Sequence, residues 1–161
     1  MANELDVTRQ FLRHTLATIA YRIRKPITDV PDNYPSFKVG PESMSPVQIV
    51  AHLGDLMEWS LSLAQGSQRW QTSTPLEWKR EVERFYTTLK NLDDYLATSD
   101  PLHAPAERLF QGPIADALTH VGQLSIMRRL AGSPVRGENY FVADVKAGVV
   151  DSNQAKAVRE F

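Results

Sequence analysis

The chain has 161 residues, a length typical of one domain, and 42% of them are hydrophobic, which excludes wholesale disorder. Its 18 Lys plus Arg against 19 Asp plus Glu give a formal net charge of −1, which argues against a dedicated nucleic-acid binder and a strongly cationic membrane-surface protein. The sequence contains no cysteine, so disulfides, zinc knuckles and thiolate nucleophiles are excluded.

The N-terminal segment carries acidic residues and lacks the apolar stretch of a signal peptide. No run of the sequence approaches the 18 apolar residues that a membrane span needs. We therefore expect a cytoplasmic protein without a membrane partner. We see no internal repeat or domain boundary and predict a single domain over residues 1–161.

The first amphipathic pattern predicts a helix from Asn3 to Lys25, since Pro26 disfavours a helical conformation for the residue before it. Its apolar stripe consists of Leu5, Leu12, Leu16, Ile19 and Ile23. The following stretch, residues 26–44, is rich in proline and has no clean period, which predicts a long first crossover. Two interpretations stand: an irregular surface connection, or a segment that covers a binding site.

Capping boxes predict the starts of the second and third helices. Ser45-Pro46-Val47-Gln48 opens the second helix, and Gly66 is its predicted C-terminal cap. Thr74-Pro75-Leu76-Glu77 is the matching signal for the third helix, which Asp100-Pro101 closes. The third helix carries a heptad-like core stripe of Trp78, Val82, Phe85, Leu89, Leu92 and Leu96.

The fourth helix is predicted from about Pro113 to Ala131, with Gly132-Ser133-Pro134 as its stop. Residues 139–147 predict a short fifth helix, and the last dozen residues a polar tail. Strand signals are nearly absent. The sequence thus predicts an all-α fold: an up-and-down-like four-helix bundle with a long first crossover and a short C-terminal helix.

Two histidines and one aspartate form the strongest chemical signal. His52 and His120 both lie on the apolar stripes of their helices, and Asp116 shares a face with His120 because it lies four residues earlier. A divalent metal held by these three side chains would offset the cost of burying an unpartnered carboxylate. The alternative is that Asp116 faces solvent and stabilises the first turn of the helix.

Three neighbouring residues are weaker candidates. Asp55 is either a further ligand, an acceptor for the ring N–H of His52, or a surface charge. Gln123 lies beside the expected site and would orient a ligand or water. Gly122 interrupts the fourth helix at a cost of about 1 kcal/mol relative to alanine; of its two interpretations, close packing of another helix or approach of a ligand, we favour packing. The three tryptophans are interpreted as core or interface residues, not as a stacking platform.

The run from Ser45 to Leu53, with His52 near its end, resembles the corresponding segment of the DinB-like (YfiT-like) superfamily, and so does the run from Thr119 to Leu124. The resemblance covers nearly the whole chain in the order and spacing of its helices. It implies a four-helix bundle in which one histidine of helix two and two of helix four, four residues apart, bind a divalent metal. His52 and His120 match this pattern, whereas Asp116 stands where the family usually has a histidine and Val121 where it has an arginine.

Members of that family with assigned activity include thiol-dependent transferases and isomerases, so the resemblance implies a metal-dependent enzyme that activates a small thiol or water. Zn²⁺, Ni²⁺, Mn²⁺ and Fe²⁺ all accept two histidines and a carboxylate. The alternatives are a non-catalytic stress-response or binding module with a vestigial site, and a structural helical dimer. The expected partners are a small-molecule substrate and a second copy of the chain in a homodimer. The expected cofactors are the divalent metal and a low-molecular-weight thiol.

Overall fold

The computed structural model describes residues 4–161, with side chains from Val7 onward, and consists almost entirely of helices. The first three are α1 (Glu4–Ile27), α2 (Pro46–Ala64) and α3 (Trp78–Leu96). The fourth, α4, is continuous and has three parts: α-helical Ala106–Leu109, a π-helical turn at Phe110–Ile114 and α-helical Ala115–Leu130. A 3₁₀ turn follows at Tyr140–Val142. The described residues contain no strand, only one antiparallel bridge between Glu138 and Glu160.

The four helices run up, down, down and up. Arg128 of α4 donates a hydrogen bond to the carbonyl of Thr28 at 3.0 Å, which places the C-terminal ends of α1 and α4 together. The amide of His103, just before α4, donates to the carbonyl of Ala64 at 2.9 Å, so α2 ends where α4 begins. Arg84 reaches the carbonyl of Ala51, and Tyr95 lies by that of Ala64, so α2 and α3 are parallel.

The four-helix bundle and its long first connection are confirmed, but the up-and-down order is wrong. Residues 28–45 form a long first connection that stays at one end of the bundle, where the amide of Val47 donates to the carbonyl of Pro35. The connection that runs the length of the bundle is the second, residues 65–77, because it joins two parallel helices. It therefore passes along the outside of α2.

Local capping signals locate α2 well. The amide of Ser45 donates to Oε1 of Gln48 at 2.9 Å, and the helix starts at Pro46 as predicted. At the other end, Gly66 follows the cap in a left-handed conformation with φ of 76°. The predicted box at Thr74 does not form. Instead Glu77 caps α3, its carboxylate accepting from the amide of Lys79 at 3.2 Å.

The two helices that contain proline extend beyond their predicted limits. α1 continues through Pro26 to Ile27 instead of ending at Lys25, because both residues are buried and proline has a helical φ. α4 starts at Ala106 instead of Pro113, which lies inside the π-helical turn. The wider π-helical turn accommodates Pro113, which has no backbone N–H to donate. The predicted start at Asn3 and the side chain of Leu5 lie outside the described residues.

The C-terminal segment is not the predicted helix and polar tail. Only the 3₁₀ turn Tyr140–Val142 forms, and the chain end returns to pair with residues 137–139. The amide of Phe161 donates to the carbonyl of Gly137 at 3.1 Å, and Lys25 of α1 pairs with Glu160 at 2.7 Å. Residues 136–161 therefore form a strap that is fastened to α1.

The apolar stripes predicted on the four helices meet in one core. Leu16, Ile19 and Ile23 of α1 are fully buried, as are Phe85, Leu89 and Leu92 of α3 and Ile114, Ala117 and Leu124 of α4. Within residues 4–161, no helix is both long enough and apolar enough to cross a membrane.

Candidate metal centre

His52, Asp116 and His120 converge at one point between α2 and α4. Nε2 of His52 lies 3.4 Å from Oδ2 of Asp116, and Nε2 of His120 lies 3.5 Å from Oδ1 of the same carboxylate. One ligand atom from each of the three side chains can be chosen so that all lie within 4.8 Å of one another. The two imidazole rings meet nearly edge to face, with centroids 4.7 Å apart.

The local sequence explains this convergence. α4 presents Asp116 and His120 one above the other, since residues four apart share a helical face. His52 faces them from the N-terminal half of α2, whose start is fixed by its cap. The side chain of His120 is only 13% exposed and that of His52 25%, whereas that of Asp116 is 47% exposed. The carboxylate thus borders solvent, as the alternative interpretation expected, while both of its oxygens face the histidines.

Gln123 selects the ring nitrogen that His120 presents to the site. Its Oε1 lies 2.8 Å from Nδ1 of His120, and an amide oxygen only accepts hydrogen bonds. In the neutral imidazole this contact places the proton on Nδ1, and Nε2 then faces Asp116 with its lone pair. A second hydrogen bond of this kind is what metal-ligating histidines generally have. This contact places Gln123 beside the site, where the sequence predicts that it orients a ligand or water.

The donor set fits a divalent metal. Bonds of about 2.0–2.2 Å to nitrogen and oxygen place neighbouring ligand atoms roughly 3–3.5 Å apart around an ion. The distances from the two oxygens of Asp116, one to each histidine, fall in that range, and with a single ligand atom from each residue the three atoms lie within 4.8 Å. Two imidazoles and one carboxylate leave at least one coordination position, and the exposed side of Asp116 gives access to it.

Asp55 is not a ligand of this site. It is 3% exposed, and its carboxylate accepts from the amide of Ser73 at 2.9 Å, from the hydroxyl of Ser73 at 2.7 Å and from Arg84 at 2.6 Å. Arg84 also pairs with the fully buried Glu81 at 3.0 Å, and Glu81 accepts from the amide of Leu76 at 2.7 Å. Asp55 and Glu81 thus attach the second connection to the bundle on both sides of Pro75.

Arg84 holds this buried charge cluster together. Burial lowers the pKa of its guanidinium, but the hydrogen bonds to Asp55 and Glu81 outweigh that effect, so the pKa is raised overall. Sequence reasoning missed both Arg84 and Glu81. Arg84 and Asp55 are 29 residues apart in the sequence, a separation that no local pattern reveals.

The second connection also brings an aromatic group to the site. The indole of Trp70 meets His52 edge to face with centroids 5.9 Å apart, and it meets Trp59 at 5.6 Å. Trp70 is 47% exposed, so of the two expectations from the sequence, core or interface, the core is excluded. The other two histidines, His14 and His103, are exposed and lie outside the cluster.

Comparison of the chain with known protein families, curated proteins and solved structures gives no match. The functional conclusion therefore depends on the geometry of the site.

Proposed function

We propose that the protein is a metal-dependent enzyme whose divalent ion is held by His52, Asp116 and His120. The observation that carries the proposal is the convergence of two imidazoles from different helices on one carboxylate, with the ligand atoms within 4.8 Å. The hydrogen bond from His120 to Gln123 supports it, because it frees the nitrogen that a metal needs.

The resemblance to the DinB-like superfamily agrees with this proposal in the two matching histidines. Asp116 replaces a neutral imidazole by a carboxylate, a combination that Zn²⁺, Ni²⁺, Mn²⁺ and Fe²⁺ all accept. The added negative charge makes the ion a weaker Lewis acid than a site of three histidines would. Membership of the family is itself part of the proposal.

A divalent ion at this position supplies one kind of chemistry: it lowers the pKa of a coordinated thiol or water, so that a nucleophile is present near neutral pH. The chain has no cysteine, so a thiol must come from a small molecule. The protein's own residues provide the rest. Gln123 orients His120, and Trp70 packs against the ring of His52. The reaction class is thiol transfer or hydrolysis.

A non-catalytic binding module with a vestigial site is the second candidate. The exposure of Asp116 favours it, because an exposed carboxylate is stable in water without a metal. Thr119 also lies near this carboxylate, with its hydroxyl 3.5 Å from Oδ1. The two candidates differ in whether metal binding is accompanied by turnover.

Isothermal titration with Zn²⁺, Ni²⁺, Mn²⁺ and Fe²⁺, on protein purified without affinity chelators, tests the proposal. We expect one ion per chain, and a loss of affinity of more than about 100-fold in His120→Ala, since a ligand contributes more than the 10–100-fold of a supporting residue. Asp116→His should retain binding. His103→Ala, which removes an exposed histidine outside the cluster, is the matched control.

Turnover of electrophilic and ester substrates with low-molecular-weight thiols then separates the two candidates. Activity that disappears in His120→Ala supports the enzyme, whereas metal binding without any such activity supports the binding module. Equal metal affinity of wild type and His120→Ala would refute the metal centre.

A further inference from the structure

A small cleft adjoins the candidate metal centre on the side of the second connection. It lies between the start of α2 and residues 72–75 and has a volume of about 160 Å³. Its lining includes Met44, Gln48, His52, Thr72, Ser73 and Pro75. We call it the α2 cleft.

We propose that the α2 cleft is the specificity pocket of the metal centre and that it admits an apolar group about the size of a benzene ring. This inference rests on the proposed function, because the ligand in question binds the ion through a donor atom and places its apolar group in the cleft. It adds a substrate class to that function: small thiols or related donors that carry one compact apolar group.

The position of His52 connects the cleft to the metal. The same imidazole lines the cleft and offers Nε2 to the cluster with Asp116. A ligand bound to the ion would therefore lie beside the cleft, with the His52 ring between the ion and the lining. Trp70 packs edge to face against the His52 ring at 5.9 Å, which restricts the movement of that ring.

The chemistry of the lining favours an apolar occupant. Met44 and Pro75 contribute apolar surface, and the side-chain oxygens of the polar lining residues, the carboxylate of Asp55 included, have partners within the protein. Ser73 donates to Asp55, the Oε1 of Gln48 accepts from Ser45, and Thr72 accepts from the indole N–H of Trp70. A polar ligand group in the cleft would exchange its hydrogen bonds to water for few new ones.

The wall of the cleft is held in place. Ser73 makes two hydrogen bonds to the buried Asp55, at 2.7 and 2.9 Å, and the amide of Leu76 donates to the buried Glu81. These anchors lie on both sides of Pro75. A wall fixed in this way sets an upper limit on the size of the occupant, and for comparison an apolar cavity of about 150 Å³ accommodates benzene.

The test uses three thiols of increasing size, ethanethiol, phenylmethanethiol and 2-naphthylmethanethiol, and compares affinities for the thiolate form of each, because the two arylmethanethiols are more acidic than ethanethiol. Each is titrated into the cobalt(II)-loaded protein, whose visible absorption changes when a thiolate binds the ion. Burial of a phenyl ring should make phenylmethanethiol bind at least about tenfold more tightly than ethanethiol. The naphthyl compound should bind no more tightly than phenylmethanethiol, because it exceeds the cleft.

Met44→Ala enlarges the cleft and should raise the affinity for 2-naphthylmethanethiol severalfold while the affinity for cobalt stays unchanged. Ile126→Ala, at an exposed apolar position on α4, is the matched control and should leave all three affinities unchanged. Affinity that rises steadily with size in wild type and Met44→Ala alike would overturn the inference, because it indicates simple hydrophobic partition. Failure of cobalt to bind, measured before any thiol is added, would instead overturn the metal centre, and the pocket with it.

Discussion

His120 has two ring nitrogens: Nδ1 lies 2.8 Å from the amide oxygen of Gln123, and Nε2 faces Asp116. Because an amide oxygen accepts hydrogen bonds, its replacement by an apolar side chain removes the group that favours a proton on Nδ1 and a lone pair on Nε2. We expect Gln123→Leu to weaken metal binding by about 10–100-fold without unfolding the protein, since Gln123 is exposed. Gln123→Glu keeps an acceptor and should retain most of the affinity.

Titration calorimetry with the metal that binds wild type most tightly checks this prediction. Equal affinities for Gln123→Leu and wild type would show that the hydrogen bond has no influence on the site. Gln111→Leu, at an exposed position of the π-helical turn, controls for the general effect of a surface leucine.

Arg84 is a second residue whose effect extends beyond its own position. Its loss leaves the buried carboxylates of Asp55 and Glu81 without the guanidinium that pairs with both. We expect Arg84→Met to lower the free energy of unfolding by about 3–5 kcal/mol, the usual cost of breaking a buried ion pair. Arg80→Met, on the exposed face of α3, should change it by less than about 0.5 kcal/mol.

Urea denaturation followed by circular dichroism measures both changes. A small loss, below about 1 kcal/mol, would mean that water replaces Arg84 and that the cluster is not closed to solvent. It would also weaken the case for a fixed wall beside the α2 cleft.

The sequence identifies the three clustered residues but not the groups that support them. His52 and His120 are recognisable because each is a polar residue on an apolar stripe, and Asp116 because helical periodicity places it beside His120. The role of Asp55 depends on Ser73 and Arg84, which come from a connection and another helix. Such contacts follow from tertiary packing, which single-helix patterns do not contain.

At the scale of helical elements, two glycines with different backbones should respond oppositely to alanine. Gly66 ends α2 with φ of 76°, and a Cβ there would lie 2.9 Å from Cγ of His103. Gly122 lies inside α4 with no atom within 4 Å of such a Cβ, so the close packing expected there is absent. We expect Gly66→Ala to destabilise the protein by about 1–2 kcal/mol and Gly122→Ala to stabilise it by up to about 1 kcal/mol.

Thermal unfolding of the two variants beside wild type checks the signs. If Gly66→Ala leaves the melting temperature unchanged, the end of α2 adapts more easily than its left-handed conformation implies. If Gly122→Ala destabilises, this face of α4 has a contact that the single chain lacks.

The predicted helix ends are correct where the sequence signal is local and wrong where the end depends on distant contacts. The cap at Ser45 and the stop at Gly66 involve residues within one turn, so the sequence locates α2 correctly. Pro113 is a typical first residue of a helix, yet here it lies inside the π-helical turn of α4. Burial of Pro113 and Ile114 in the core stabilises that continuation, which local capping rules do not describe.

At the scale of the whole molecule, the direction of the second connection decides the topology. A tight turn after Ala64 would have made α3 antiparallel to α2, and the apolar stripes allow either direction. The long second connection instead returns along α2, tied by Asp55 and Glu81, and brings Trp70 and the wall of the α2 cleft to the candidate metal centre. The bundle class follows from the sequence, whereas the order of the helices requires these distant contacts.

Because of Tyr86 in α3, we expect the free energy of unfolding of the whole bundle to change with pH in the alkaline range. Burial raises the pKa of its hydroxyl to about 12, with a further increase from Asp151 of the C-terminal strap that is opposed by Arg24 of α1. An unfolded tyrosine has a pKa of about 10. The folded protein therefore keeps this proton between about pH 10 and 12 while the unfolded chain loses it, so the stabilisation is complete below pH 10 and is lost as the pH rises.

We expect Tyr86→Phe to remove this pH dependence. By linkage, the contribution of Tyr86 falls by about 1.4 kcal/mol between pH 8 and pH 11, so the difference in unfolding free energy between wild type and Tyr86→Phe should shift by that amount in favour of the variant. Urea denaturation of both proteins at the two pH values measures it. If the difference in unfolding free energy between the two proteins is the same at pH 8 and pH 11, Tyr86 ionises as readily in the folded bundle as in the unfolded chain. The packing of α3 against α1 and the strap would then not exclude water from its hydroxyl.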